Sequence, residues 1–488
     1  MLTQTLTCCS FIDGKSNHSS SSAQLVTKLH PANNEIIYHL AYAEDSDLQQ
    51  AVDASRRAFE IWSQISVMQR GNILLRAAEI LRERLHELAE IEVWDTGKPI
   101  TEALNVDVLS AADALEYFAR AAVAVEGEVV PNQNALVYTM REPLGVCVGI
   151  GAWNYPLQIA CWKAAPALMM GNTIIFKPSE LTPATALKLA EIFLQAGMPP
   201  GVFNVIIGGA AVAEKLLTQP HLAKISFTGS VPTGKRILQQ AATQLIPVTL
   251  ELGGKSPLII FEDADLDQAV IGSMLANFYT QGEICSNGTR VFISRKIHDQ
   301  FIDRLITRVK KLVVGNPFDH ATQVGSLISH EHMQKVQRYI AEGRSAGAEL
   351  MCGGGQPQGL QQGNFIEPTI FTRCTDEMSI VSDEIFGPVM SVLTFDDEDE
   401  VITRANSSGY GLAAGVFTEN IKRGHRVAHQ LQSGVCWVNN YNITPPGMAF
   451  GGIKQSGFGR ENGLSSLLSY TQQKSIYIEL KEIEHTYS

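Results

Sequence analysis

One of the eight cysteines stands where a thiol could act as a nucleophile. Cys285 lies in QGEICSNGTR, a loop rich in glycine, serine and asparagine that follows a predicted amphipathic helix. The thiolate is the reactive form, and because a free cysteine has a pKa of about 8.5, the thiol needs an acid–base group nearby. Such a thiol can add to a carbonyl carbon, although any single cysteine taken alone is more often a structural residue.

Glu251 is the carboxylate that the sequence offers as this acid–base group. It ends the predicted strand TLEL and is followed by Gly253 and Gly254, which let the main chain approach a ligand closely. Burial would raise the pKa of this carboxyl group, so that it could accept a proton near neutral pH. Together, Cys285 and Glu251 predict nucleophilic chemistry on a carbonyl compound.

Two loops that follow predicted strands could contact a dinucleotide. In FKPSE, Lys177 and Glu180 could bond ribose hydroxyl groups, but for this motif alone a solvated turn is the favoured interpretation. In FTGSVPTGK, Gly229 and Ser230 open a helix whose N–H groups could face a pyrophosphate, although such turns also occur without phosphate. The segment GIGAWN has Asn154 where a third glycine would complete GxGxxG, so any dinucleotide would bind in another geometry.

Alternating helices and strands must position these residues. Apolar spacings of three and four predict a helical region over 46–125, and short buried strands such as GVCVGI and NTIIFK then alternate with helices. This alternation predicts a doubly wound parallel sheet, with ligands at the carboxyl ends of its strands. The predicted α/β fold comprises a dinucleotide-binding domain over 1–126 and 146–251 and a second α/β domain over 252–435 that carries the nucleophile.

Two segments lie outside both domains. The ranges 127–145 and 469–488 contain ALVYTMR and YTQQKSIYIEL, which have the alternation of strands. They predict a β arm that joins subunits of a homo-oligomer, either a dimer or a dimer of dimers. The alternative is a pair of edge strands within one domain.

Composition excludes several classes of protein. The chain has 488 residues, 45% of them apolar, and a net charge of −12 without a basic run, so nucleic acid is not an expected partner. No secretory signal or long apolar stretch is present, so no membrane association is expected. The dispersed cysteines show no zinc spacing and are typical of reduced thiols, which predicts a cytoplasmic protein.

Several long motifs in a fixed order resemble the aldehyde dehydrogenase superfamily. They are LELGGKSP, GEICSNGTR, EIFGPV and FGGIKQSGFGRENG, together with GAWNYP, FKPSE and FTGS, and the match runs from about residue 10 to the C-terminus. CWKAAPAL, CSNGTRVF and KQSGFGREN are most similar to the betaine aldehyde dehydrogenases. The resemblance implies NAD(P)-dependent oxidation of betaine aldehyde to glycine betaine through a thioester.

The resemblance also implies a role for each matched catalytic residue. Cys285 matches the nucleophile, Glu251 the general base, and Asn154 the amide that forms an oxyanion hole with the main-chain N–H of Cys285. Lys163 and Glu461 match a charged pair in a proton relay, although Glu461 could instead cap a helix.

The implied cofactor contacts lie on the loops already described and on EIFGPV. Glu180 would repel the 2′-phosphate of NADP whereas Lys177 would attract it, and we expect NAD. The matched residues are Gly151, Ala152, Trp153, Lys177, Pro178, Ser179, Glu180, Gly229, Ser230, Gly253, Glu384 and Phe386.

A quaternary ammonium substrate would need aromatic faces, because no hydrogen bond can satisfy it. Tyr155 and Trp162 are the first candidates, with Tyr441, Phe450 or Phe278 as a further ring. Trp162 and Phe278 could equally be core residues. Ile284, directly before Cys285, narrows the pocket, so an aminoaldehyde or 4-trimethylaminobutyraldehyde remains an alternative substrate. A non-catalytic scaffold protein is the third hypothesis.

The resemblance further implies potassium ions. Main-chain carbonyl groups near Thr27, Lys28 and Leu181, with the side chain of Asp95, match one ion site. Positions near Lys454 and Gly457 match a second. Carbonyl sites leave almost no trace in a sequence, so both rest on the resemblance alone.

Overall fold

A computed structural model describes residues 7–17 and 24–483. Residues 484–488, the end of the predicted arm, lie outside the described residues. Apolar runs of β-branched residues form two largely parallel sheets, and helices with one apolar face cover them. The predicted α/β class is therefore confirmed.

The first sheet has eight strands, of which the central five are parallel. Its carboxyl edge carries Glu251, Lys177 and the turn at Gly229. In spatial order the strands are Gly457–Phe458, Val248–Glu251, Leu222–Thr228, Val146–Ile150, Thr173–Lys177, Phe203–Val205, Phe11–Ile12 and Lys15–Ser16.

The helices of this half begin and end at recognisable signals. Pro156 opens one helix at its first turn, where its missing N–H costs nothing. Another ends at Gly97 in the left-handed conformation. The helices are Asp45–Trp62, Val67–Glu83, Leu85–Thr96, Ile100–Glu102 with the π-turn Ala103–Asp107, Val108–Ala121, Pro156–Met169, Ala184–Gln195, Ala210–Leu217 and Val231–Ala242.

The second sheet has seven strands and carries the loop of Cys285 before one of its central strands. All its pairs are parallel except the one at the first edge. In spatial order the strands are Glu349–Cys352, Thr369–Thr372, Val389–Phe395, Arg290–Ser294, Pro257–Ile260, Ala413–Phe417 and Val435–Val438. The helices of the C-terminal half are Leu266–Leu275, His298–Val309, His330–Ser345, Ser379–Ser382, Glu398–Asn406, Ile421–Gln430 and Leu464–Ser469.

Two small sheets complete the fold. Thr7–Cys8, Ile36–Ala41 and Leu25–Leu29 form a sheet that the sequence analysis did not predict. The two predicted arm segments pair with each other: Thr471–Glu479 lies antiparallel to Ala135–Pro143, and Val129–Val130 adds a third strand. Apolar side chains of this sheet are exposed, among them Val129 at 70% and Tyr477 at 59%. In the described ranges, no helix is long and apolar enough to cross a membrane.

Candidate active site

Both halves of the chain contribute to a cavity of about 770 Å³. Asn154 and Glu251 line it from the first half, and Cys285 and Glu384 from the second. The other lining residues that the sequence analysis predicted are Ala152, Trp153, Tyr155, Trp162, Gly229, Ser230, Gly253, Phe386, Tyr441, Phe450 and Glu461. Residues from distant parts of the sequence thus share one cavity.

The thiol of Cys285 is partly exposed to this cavity. Burial, with the negative charges of Glu384 and Glu251, raises its pKa to about 12. A Cβ atom at position 254 would lie 2.6 Å from the main-chain oxygen of Cys285, so Gly254 permits the close approach of the two loops. In the free protein the thiol is therefore protonated, and its reaction requires a base.

Glu251 has the properties of such a base. Its side chain is buried, and desolvation and the nearby Glu461 raise the pKa of its carboxyl group well above the ordinary value. Among the described residues, neither carboxyl oxygen has a hydrogen-bond partner. A Cβ atom at Gly451 would lie 2.5 Å from Oε1, so that glycine provides the space for this carboxyl group. An unpartnered carboxyl group with a raised pKa can exchange protons near neutral pH.

Asn154 holds its side-chain amide in a fixed orientation. Its Nδ2 donates to the main-chain oxygen of Glu283, at 2.9 Å, just before the nucleophile in the chain. An amide nitrogen carries two protons, so one orients the group and the second remains for a ligand in the cavity. This arrangement can stabilise an oxyanion without placing a full positive charge beside it.

Lys163 and Glu461 form a buried ion pair. Lys163 Nζ lies 2.6 Å from Glu461 Oε1 and also donates to Ser226 Oγ at 3.0 Å. Ser226 Oγ in turn donates to Glu461 Oε1 at 2.8 Å. Because the carboxylate bonds these two side chains and Glu461 lines the cavity, the pair can pass a proton between the cavity and the interior.

The predicted cofactor residues of the first half lie at the carboxyl ends of strands in the first sheet. Lys177 Nζ donates to the main-chain oxygen of Pro178 at 3.0 Å and lies 3.5 Å from Glu180. Ser230 precedes the helix Val231–Ala242, whose first turn has no side-chain cap, and such a terminus can bind a phosphate group. Ser179 accepts a hydrogen bond from Leu181. The residues present fit a dinucleotide.

Glu384 and Phe386 complete this region. Glu384 Oε1 accepts a hydrogen bond from the main chain of Gly254 at 3.0 Å, and a Cβ atom at Gly253 would overlap the carboxylate. The ring centroid of Phe386 lies 5.1 Å from that of Trp153. The two loops are thus held against each other where they face the cavity.

The predicted aromatic wall is only partly present. The ring centroids of Trp162 and Phe450 are 5.6 Å apart, and Tyr155 also borders the cavity. Tyr441 also borders the cavity, but its side chain is buried and its hydroxyl group donates to the main-chain oxygen of Ser286 at 2.9 Å. Tyr441 thus supports the loop of the nucleophile, and its contact with a substrate stays a prediction. Phe278 borders a different cavity.

Residues 18–476 match the model of the aldehyde dehydrogenase family. The chain belongs to this family. The betaine aldehyde dehydrogenase of Vibrio vulnificus strain YJ016 is 52% identical over 481 residues, which cover 98% of this chain and 99% of that protein. The betaine aldehyde dehydrogenase of Mesorhizobium japonicum is 52% identical over 483 residues and 99% of each chain.

Solved structures of the family have the same fold. An aldehyde dehydrogenase from Bacillus cereus, determined as its NAD+ complex, has a TM-score of 0.95 and 39% sequence identity. The match covers 98% of this chain and 97% of that chain.

Lys98 is a residue of this family member that the sequence analysis missed. It is 0% exposed, pairs with Asp107 and donates to the main-chain oxygen of Asn154 at 2.8 Å. Its Nζ also lies 4.0 Å from the centroid of the Tyr155 ring. Lys98 therefore fixes the start of the segment that carries both residues. No sequence signal distinguished Lys98 from the other charged residues of the predicted helical region.

Glu102 is a second residue that the sequence analysis missed, and it holds the turn at Thr280. Its carboxyl group accepts the N–H of Thr280 at 3.1 Å and the hydroxyl group at 2.9 Å, and that hydroxyl also bonds Tyr155 at 2.8 Å. Thr280 and Gln281 have φ values of 49° and 43°, a strained conformation for residues with side chains. Glu102 thus stabilises a strained turn shortly before Cys285. Neither residue of the turn is glycine, so no sequence signal marked it.

The first predicted potassium site does not fit an added cation. Lys28 is buried, and its Nζ donates to the main-chain oxygen of Asp95 at 2.8 Å. The Asp95 carboxylate already accepts the hydroxyl group of Tyr38 and the N–H of Ala184. Thr27 bonds His39 through its hydroxyl group.

At the second predicted site, Lys454 Nζ donates to the main-chain oxygens of Asn406 and Ser408, at 2.8 and 3.1 Å. Gly457 pairs with Glu251 in the first sheet. Within residues 7–17 and 24–483, no group of three or more His, Cys, Asp or Glu side chains could hold a metal ion.

Proposed function

We propose that this aldehyde dehydrogenase oxidises betaine aldehyde to glycine betaine with NAD. The observation that carries the proposal is the 52% identity over nearly the whole chain to relatives with that activity in their names. The cavity supports it, because a thiol, an unpartnered carboxyl group and an oriented amide line one space.

The reaction begins with the thiol. Glu251 takes the proton of Cys285, and the sulfur forms a bond to the carbonyl carbon of the aldehyde. The carbonyl oxygen gains the negative charge and accepts hydrogen bonds from Nδ2 of Asn154 and the N–H of Cys285. When bound, the dinucleotide supplies the acceptor for the hydride that leaves the substrate carbon.

The product is then released by water. With the carbonyl re-formed, the acyl group is a thioester on Cys285. Glu251 first gives up the proton that it took from Cys285 and then removes a proton from water, whose oxygen attacks the acyl carbon. The sulfur leaves as a thiolate and takes the proton of the carboxylic acid, so that the carboxylate forms. Glu461 and Lys163 carry the surplus proton away from Glu251, whose pKa already responds to Glu461.

Aromatic rings and negative charge would select the substrate. Trp162 and Phe450 can bind a quaternary ammonium group by cation–π attraction, worth about 0.5–2 kcal/mol per ring. One face of Tyr155 already lies against the ammonium group of Lys98, so only its other face is available. Asp113 also lines the cavity, where Arg82 partly balances its negative charge at 2.6 Å.

The adenosine end of the cofactor should favour NAD. Lys177 is paired with Glu180 at 3.5 Å, so its charge is partly balanced. A 2′-phosphate at this ribose would meet the Glu180 carboxylate.

Steady-state kinetics on an aldehyde panel with both cofactors tests the function. We expect the highest kcat/KM for betaine aldehyde with NAD. A much higher kcat/KM for 4-aminobutyraldehyde would contradict the substrate, and equal values with NADP would contradict the cofactor preference.

We propose that the sheet of Ala135–Pro143 and Thr471–Glu479 joins subunits of a homo-oligomer. Its exposed apolar side chains support this, because a second copy could bury them. Light scattering should give a mass of at least twice 53.2 kDa.

A potassium ion at Lys454 and Gly457 is proposed from the resemblance alone, and potassium-dependent melting of the protein would test it.

A further inference from the structure

We infer that the ammonium group of Lys28 takes the place of the potassium ion predicted at Thr27, Lys28, Asp95 and Leu181. The chain then carries its own cation at this position and needs no added ion there. This inference concerns the fold and is independent of the proposed substrate.

Lys28 is directed inward by the strand that carries it. In Leu25–Leu29 it is the one fully buried residue, at 4% exposure, while both of its neighbours are exposed. A lysine is rarely buried unless a partner compensates for the loss of hydration. The burial of Lys28 therefore requires a polar or charged partner for its ammonium group in the interior.

The partner is the C-terminal end of a helix. Asp95 is the second-last residue of the helix Leu85–Thr96. The last carbonyl groups of a helix receive no hydrogen bond from an N–H group of the same helix. Lys28 Nζ donates to the carbonyl oxygen of Asp95 at 2.8 Å, where the helix dipole also favours a positive charge. A potassium ion would use the same oxygen and the same potential.

Both oxygens of the Asp95 side chain already accept a hydrogen bond. Tyr38 is the cross-strand neighbour of Lys28, and its hydroxyl group donates to one carboxylate oxygen. The N–H of Ala184 donates to the other oxygen at 3.0 Å. An ion bound to these atoms would lie beside the Lys28 ammonium group, and the two positive charges would repel each other.

The negative charges around the site favour the ammonium group. Asp95 and Glu283 both act on Lys28 and oppose the effect of burial, which lowers the pKa of Lys28 to about 8. Burial raises the pKa of the Asp95 carboxyl group to about 6, and the positive charge of Lys28 opposes this shift. Lys28 thus connects the strand Leu25–Leu29 to the end of the helix Leu85–Thr96. Through the side chain of Asp95, this contact extends to the start of the helix Ala184–Gln195.

A tethered cation has a consequence that can be measured. An ion that binds only the folded protein raises its stability with concentration, whereas a side chain contributes the same amount in every salt. The full-length protein is melted in KCl and in LiCl at matched ionic strength. We compare the natural chain with Lys28→Ala and with Lys215→Ala, a control at a surface lysine that pairs with Asp45.

We expect the natural chain and Lys215→Ala to show the same difference in Tm between the two salts, which reports any potassium ion bound near Lys454 and Gly457. Lys28→Ala should melt lower in LiCl and recover with KCl in a saturable manner, because the opened space admits the ion. Equal potassium responses in all three proteins would overturn the inference.

Crystals of the natural chain soaked in rubidium chloride provide a second measurement if Lys28→Ala does not fold. We expect no anomalous peak in contact with the carbonyl oxygen of Asp95. A rubidium peak there would overturn the inference.

Discussion

Two buried glutamates, Glu251 on the wall of the cavity and Glu102 against the turn at Thr280, differ in what surrounds their carboxyl groups. Burial raises the pKa of both, to about 8 for Glu102 and well above the ordinary value for Glu251. Glu102 accepts three hydrogen-bond contacts from Thr280, whereas Glu251 has no hydrogen-bond partner among the described residues. A satisfied carboxyl group holds structure, and an unsatisfied one remains available for proton transfer.

Removing the unsatisfied carboxyl group should have the largest effect. Glu251→Gln preserves the shape but cannot accept a proton, and general-base catalysis contributes about 10²–10⁴-fold. We expect kcat/KM to fall by that factor with little change in Tm.

The pH dependence sharpens the same prediction. The carboxylate is the active form, and its pKa is raised, so kcat/KM should increase as pH rises above the ordinary glutamate range. The rising limb should disappear in Glu251→Gln, whereas Glu102→Gln should keep it. An unchanged limb in Glu251→Gln would assign the base elsewhere.

Asn154 connects the two regions, since its side chain faces the cavity and Lys98 holds its main-chain oxygen. Asn154→Ala removes an oxyanion donor, and we expect kcat to fall by about 10²–10³-fold. KM should change much less. An equal fall in substrate affinity and no loss of kcat would contradict the role.

Glu102→Ala should disturb structure first. It leaves the buried N–H of Thr280 unsatisfied, at a cost of about 1–3 kcal/mol in the free energy of unfolding, while the hydroxyl group keeps its bond to Tyr155. Denaturant titration measures this loss, and kcat should fall with it because the strained turn precedes Cys285. Glu102→Gln, which keeps an acceptor oxygen, should recover part of both. Unchanged stability in Glu102→Ala would remove the distinction between the glutamates.

The smallest effect is expected at the aromatic wall. Trp162→Leu removes one ring, worth about 0.5–2 kcal/mol for a cation. We expect KM for betaine aldehyde to rise while KM for an uncharged aldehyde of similar size stays the same. Equal changes for both aldehydes would indicate a packing role.

The sequence predicted what local patterns and long motifs encode. Apolar periodicity placed the strands Val146–Ile150 and Thr173–Lys177 and the helix that Pro156 opens. Motif order identified Cys285 and Glu251, which line one cavity in the structure. The roles of these site residues, the domain boundaries and the cytoplasmic location stay predictions.

Contacts between distant residues were beyond sequence patterns. Glu102 and Thr280 are 178 residues apart, and no pattern in either segment indicates that the two are in contact. The strand Gly457–Phe458, which lengthens the first sheet, is too short to show a period. The substrate contact of Tyr441 stays a prediction, because an aromatic residue near a motif can support a loop as well as face a ligand.

Formation of NADH by Cys285→Ala with betaine aldehyde tests the central claim most directly. Cys436→Ala is the matched control, because its thiol is also partly exposed but does not line the cavity. The account predicts that Cys285→Ala loses NADH formation to background while Cys436→Ala keeps the rate of the natural chain. Undiminished NADH formation by Cys285→Ala would contradict it.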